Sequence, residues 1–162
     1  MGMADTKTTA KRSTTTKSSG NVFTKEERAA VQETARERKK SSKLSPEQER
    51  AEGESDVQAK IAGMPADDRA MAARIHKLVL ETVPALVPKT YYGMPAYAKD
   101  GKVICFFKPK SKFKVRYSTF EFQADAGLDD GEMWPVSFAV VKLTPATEKR
   151  IAELVKRGAS RP

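Results

Sequence analysis

Large apolar residues are nearly missing from the first twenty positions, thin as far as Gly53, spaced by three and four from Met71 to Val83, and then alternate or run together to Leu143. Each change of period predicts a different element. Residues 1–20 hold no large apolar side chain beyond two methionines. Such a segment buries too little surface to offset its ordering entropy, which predicts a disordered basic tail. Phe23 to about Lys40 has strong helix-former composition. Thr24 is its N-cap, and Glu27, three residues on, completes a capping box. Its apolar side is Val31, Ala35 and little else, so this helix is either solvated or packed through small residues against a partner. Ser45-Pro46 restarts a short charged turn, and Gly53 marks the end of a charged helical extension over 21–52. The folded domain is expected over 53–162.

Asp56–Ile61 predicts a short helix closed by Gly63 and Pro65. A second helix starts near Ala66, with Asp67 and Asp68 in the first turn, where negative charge suits the helix dipole. Met71, Ile75, Leu78 and Val79 make one apolar face, and Pro84 stops the helix. Strands follow. Lys89–Tyr92 is broken by Gly93 and Pro95, and Ala96–Lys99 resumes. Asp100-Gly101 between strand-like runs is a strong hairpin signal. Lys102–Lys108 is a continuous apolar run, expected to be central and buried on both faces. Phe113–Tyr117 alternates, which predicts a half-buried strand. Leu128–Gly131 reads as a turn and Val136–Leu143 as the last strand. Thr144 as N-cap and Pro145 at the first helical position open a final helix, with Ile151, Leu154 and Val155 inward. Helices, then about four antiparallel strands, then a helix make an α+β domain.

Composition locates the core. The stretch from Pro84 to Pro135 holds the single Trp, all four Tyr and five of the seven Phe, and aromatic side chains dominate core energetics. Charge is uneven about a net +9: residues 1–50 carry twelve basic against seven acidic groups, and 99–116 seven against one. Glu121–Glu132 carries five acidic groups. A basic excess favours polyanions through counterion release, and it also serves solubility. One cysteine, Cys105, permits no intrachain disulfide, which fits a reducing cytoplasm. No apolar run approaches membrane-spanning length, and the N-terminus lacks a secretory h-region. A soluble cytoplasmic protein without membrane association is expected.

Four groups of residues are candidates for chemistry. If 110–116 is a strand, Lys110, Lys112, Lys114 and Arg116 share one face. That arrangement is either a polyanion-binding stripe or the lysine guard of an edge strand. Asp125, Asp129, Asp130 and Glu132 are candidate ligands for a hard cation, or a charged solvated loop. Tyr91, Tyr92, Met94 and Tyr97, together with Trp134 and His76, are either the wall of a small ligand pocket or aromatics filling the rim of the core. His76, the sole histidine, is expected to be a hydrogen-bonded structural residue. Neither a zinc site, nor a nucleophile–base pair, nor a Gly-rich phosphate loop can be assembled from the spacing. A non-enzymatic binding or carrier protein is the expectation.

The strings Asp68-Arg69, Tyr92-Gly93-Met94-Pro95-Ala96-Tyr97, Gly101-Lys102-Val103, Phe106-Phe107, Lys112-Phe113, Leu128-Asp129-Asp130-Gly131 and Met133-Trp134-Pro135, with His76 and the Pro84 and Pro88 pair, together resemble the YdhG-like domain family. The resemblance covers about residues 55–158. Residues 23–50 are similar to an extension carried by one branch. The resemblance implies a curved antiparallel sheet packed on helices. One branch of that family is linked to iron delivery as a frataxin-like chaperone. For this chain that implies iron as a ligand, an acidic surface drawn from Asp125, Asp129, Asp130 and Glu132, and iron-accepting proteins as partners. The alternative expectation is association with nucleic acid or another polyanion through the basic tail and the Lys110–Arg116 stripe.

Overall fold

The computed structural model describes residues 23–41 and 44–161, so the basic tail expected over 1–20 lies outside the described residues. Helix α1 spans Lys25–Ser41. Its capping box is formed: the Glu27 amide donates to Thr24 Oγ1 at 3.1 Å, and the Thr24 amide donates to Glu27 Oε2 at 3.0 Å. Helix α2 spans Pro46–Ala62 under a second capping box, Ser45 with Gln48. It is one helix, not a turn followed by a short helix. Gly53, where the sequence suggests a boundary between extension and domain, lies in its interior. Gly53, Val57 and Ile61 recur at a spacing of four and form the buried face of α2.

Helix α3 (Ala66–Thr82) buries Asp68, Ala72, Ile75, His76 and Val79. Five strands follow, β1 (Val87–Tyr91), β2 (Met94–Lys99), β3 (Lys102–Lys108), β4 (Ser118–Phe122) and β5 (Ser137–Val140), paired antiparallel in sequence order. A one-turn helix α4 (Lys110–Phe113) interrupts the strands between β3 and β4, and α5 (Pro145–Ala159) closes the chain. The result is an α+β fold with an open, five-stranded antiparallel sheet. Among the described residues no helix is long and apolar enough to cross a membrane.

Both hairpins at β2 use left-handed residues. Tyr92 and Gly93 (φ 50° and 73°) join β1 to β2, and Asp100 and Gly101 (φ 52° and 77°) join β2 to β3. Two consecutive positive φ values give the turn whose twist matches paired strands. β3 is central, as its unbroken apolar run predicts, with Ile104, Cys105, Phe106 and Phe107 all buried. The sheet separates two apolar clusters. Tyr97, Cys105, Phe107, Phe120 and Phe122 point to the face packed by α2, α3 and α5. Met94, Ala96 and Phe106 point to the opposite face, beside Tyr91, Tyr92 and Phe113.

One sequence expectation is overturned here. Residues 113–117 are not a strand. Lys110–Phe113 is a helical turn, Lys114 is left-handed (φ 52°), and pairing resumes only at Ser118. The cause is tertiary. The buried Asp68 carboxylate accepts from both the amide and the hydroxyl of Ser111 and from the Ser118 hydroxyl at 3.5 Å, while the Lys110 amide donates to Ser118 Oγ at 3.0 Å. A buried carboxylate needs such donors, and satisfying it curls the segment between them.

Candidate functional site

The six residues expected to wall a pocket fall in three places. Tyr91, Tyr92 and Met94 belong to the cluster on the far face of the sheet, where the Tyr91 ring meets Tyr92 edge-on and Phe106 obliquely. Tyr97 and His76 lie in the main core on the other face. Trp134 packs half-buried against that core from the β4–β5 connection. The sheet divides them, so they form no single pocket.

His76 and Tyr97 do form a polar chain. His76 Nδ1 lies 3.0 Å from the Tyr97 hydroxyl, and His76 Nε2 lies 2.9 and 3.0 Å from the two Glu54 oxygens. Burial raises the Glu54 carboxyl, but hydrogen bonds from Gln58 and His76 outweigh it and hold the group below its usual range. An ionised carboxylate only accepts. His76 Nε2 therefore carries the proton, and in the neutral ring Nδ1 accepts from the Tyr97 O–H. Burial pushes the Tyr97 phenol far up, so it stays a donor. The chain ties α2, α3 and β2 together, running from the core at Tyr97 out to Glu54 at its edge. It satisfies the buried His76 ring and Tyr97 hydroxyl, and its Glu54 end lies at the surface with a side chain 41% exposed.

The four acidic candidates are dispersed. Asp125 is paired with Lys102 at 3.6 Å. Asp129, Asp130 and Glu132 stand exposed along the β4–β5 connection. Among the described residues no three His, Cys, Asp or Glu side chains are grouped to hold a metal ion.

The four basic candidates are split by the curl that replaces the strand, so they do not share a face. Lys112 and Lys114 turn to α1. Lys114 Nζ is 2.7 Å from Glu26, and its ammonium holds that carboxyl below the usual range. Lys112 Nζ is 3.4 Å from Glu33, which also meets Lys60 at 3.4 Å. Glu37 accepts from the Gly93 amide at 3.0 Å. A side chain at Gly93 would collide with Glu33 and Lys112. Thus α1, whose buried side chains among the described residues are Ala30 and Thr34, is fastened largely by charge. It packs through small residues on its own chain, against β1 and α4.

Lys110 and Arg116 turn the other way. They line a cleft of about 450 Å³ between the start of α3, the loop before β4 and the segment from β5 into α5. Lys142 joins them there. Arg74 is also present but is held by Glu148 through two hydrogen bonds of 2.6 and 3.0 Å. Asp68 is taken up by the two serines. Among the described residues Lys110, Arg116 and Lys142 have no ion-pair partner, and Asp67 is the remaining uncommitted acid in the lining. The Arg116 guanidinium sits 5.1 Å from the centre of the Tyr117 ring, which is 37% exposed. The cleft therefore offers three cations without carboxylate partners, one of them stacked on the partly exposed Tyr117 ring.

The chain matches no protein-family model, no curated protein and no solved structure. Sequence reasoning missed Asp68, which positions the cleft, although a signal was present: Asp68 stands four before Ala72 on the buried face of α3. It also missed Lys142 and Tyr117, since no local spacing links 142 to 110–117.

Proposed function

We propose that this chain is a small non-enzymatic domain that binds single-stranded nucleic acid, with the Lys110, Arg116 and Lys142 cleft as its contact surface. The observation that carries the reading is the presence, in one cleft, of three cations without carboxylate partners together with the partly exposed Tyr117 ring. Lysine and arginine neutralise phosphates, and an aromatic ring or an arginine plane stacked on it can take a base without regard to sequence. The four cations of the tail, Lys7, Lys11, Arg12 and Lys17, add non-specific attraction. The iron-carrier reading rests on family resemblance and has no clustered oxygen ligands among the described residues to support it.

The test is fluorescence anisotropy of the full chain with a labelled single-stranded oligonucleotide at several salt concentrations. Each phosphate neutralised contributes about −0.7 to the slope of log affinity against log salt on single strands. The Lys110→Gln, Arg116→Gln, Lys142→Gln triple variant is expected to bind more weakly, with a slope shallower by about 2. Deleting residues 1–20 lowers the slope independently. Binding that is unchanged in the triple variant, or no salt-dependent binding by the intact chain at low salt, refutes the reading.

A further inference from the structure

Helix α1 is amphipathic in an inverted sense. Among its described residues the inward stripe is Glu26, Ala30, Glu33, Thr34 and Glu37, at the spacing of one helical face. The alanine and threonine are buried, and the three carboxylates are half-buried. The other described side chains of the helix are exposed, and its one large apolar residue, Val31, is among them at 48%. A helix docked by burial turns its apolar side inward. Helix α1 turns carboxylates inward instead.

The surface they meet is basic and aromatic. Glu26 lies 2.7 Å from Lys114 Nζ, Glu33 lies 3.4 Å from Lys112 Nζ, and Glu37 takes the Gly93 amide at 3.0 Å. Tyr91, Tyr92 and Phe113 stand half-buried in the cluster on this face of the sheet. Lys108 Nζ and Lys112 Nζ are 4.7 and 6.0 Å from the centre of the Phe113 ring. Lysines that neutralise phosphates, a backbone amide that positions one, and rings that stack bases are the parts of a groove for a single strand. Here Lys112, Lys114 and the Gly93 amide each hold a carboxylate of the chain itself.

We propose that α1 is an autoinhibitory strap, whose acidic stripe lies where a single-stranded nucleic acid runs once it has displaced the helix. The strand then extends from the Lys110, Arg116 and Lys142 cleft round the α4 turn onto Lys112 and Lys114, so the proposal rests on the nucleic-acid reading of that cleft. The strap is weakly held. Partly exposed ion pairs contribute little and are screened by salt. Two small buried side chains remove little apolar surface from water. Phosphates of the entering strand replace Glu26 and Glu33 on the same two ammonium groups, so each pair that is lost is exchanged for another.

Hydrogen exchange of the full chain, with and without a saturating single-stranded oligonucleotide, is the first test. A 17-residue helix on its own is marginal in water, so release exposes its amides. Amides of α1 are expected to exchange faster in the complex, and those of α3 and β3 no faster. The second test is anisotropy with the labelled oligonucleotide. The Lys112→Gln, Lys114→Gln variant is expected to show a salt slope shallower by about 1.4, although both lysines are paired in the free chain. The Glu26→Gln, Glu33→Gln, Glu37→Gln variant is expected to bind about threefold tighter or more, because its closed state is less favoured. Asp129→Asn, Asp130→Asn, Glu132→Gln makes the same change in net charge away from α1 and is expected to give a smaller gain. Circular dichroism confirms the fold of each variant. A complex in which α1 stays as protected as in the free chain overturns the strap and leaves the cleft standing. So does an unchanged slope in the lysine variant, or a gain in the α1 variant no larger than the control's. A wild-type chain that binds no strand overturns both.

Discussion

Replacing Gly53 by alanine sets two effects of known size against each other. In a helix interior alanine is favoured over glycine by about 0.8–1.0 kcal/mol, so Gly53→Ala in a solvated helix would stabilise. In this fold a Cβ at position 53 overlaps the Pro88 carbonyl oxygen, and it lies 3.0 Å from the Pro88 carbonyl carbon and 3.5 Å from Lys89 Cα. All three are backbone atoms of β1, so no rotamer relieves the overlap. Helix α2 must move off the strand, which strains Val57 and Ile61 on the same face and the Glu54 bonds to His76. Overpacking of this kind costs about 1–3 kcal/mol, and here the loss of neighbouring contacts adds to it. The steric effect wins, and the variant should be less stable by about 1–2 kcal/mol, a fall in midpoint of about 2–8 °C. Urea unfolding followed by Trp134 fluorescence and far-UV circular dichroism measures it. A variant as stable as wild type, or more so, refutes the close approach of α2 to β1.

Tyr97→Phe removes the donor to His76 Nδ1 and leaves a buried acceptor unpaired, at a cost of about 1–3 kcal/mol; a change below experimental error would mean the buried chain is not formed. Glu54→Gln tests its carboxylate end. A carboxyl held below its usual range gives stability that is present above about pH 4.3 and is lost as pH falls through the lower folded value. The acid limb of the stability–pH curve should therefore be shallower in the variant, and parallel limbs would rule the linkage out. Cys105 is fully buried, and burial alone pushes its thiol up. A thiol-specific reagent should then modify it only at the rate of unfolding, and fast labelling of native protein would contradict the packing of β3.

Local signals were legible where the chemistry is local. The Thr24 and Thr144 caps, the Asp100-Gly101 hairpin and the apolar run of β3 need only near neighbours to form, and the structure has them all. What was illegible depends on distant partners. Alternation over 113–117 imitates a strand, yet Asp68, far back in the chain, captures Ser111 and Ser118 and curls the segment. Gly53 resembles a helix stop until β1 is in place beside it. Lys142 enters the cleft only because β5 returns beside β4. The paired fate of Lys112 and Lys114 was hidden for the same reason, since their carboxylates sit on α1.

That fate has an electrical consequence. By laying Glu26 and Glu33 over two of four neighbouring cations, α1 acts as a built-in counterion for one half of a basic run. The positive field of residues 99–116 is thereby made lopsided, strong toward Lys110 and Arg116 and quenched toward the β1–β2 hairpin. Toward the hairpin the ammonium groups of Lys112 and Lys114 are already neutralised within the fold, so they offer an approaching anion little spare charge. The domain thus carries its uncompensated positive charge on one side of the α4 turn, and the other side is electrically quiet.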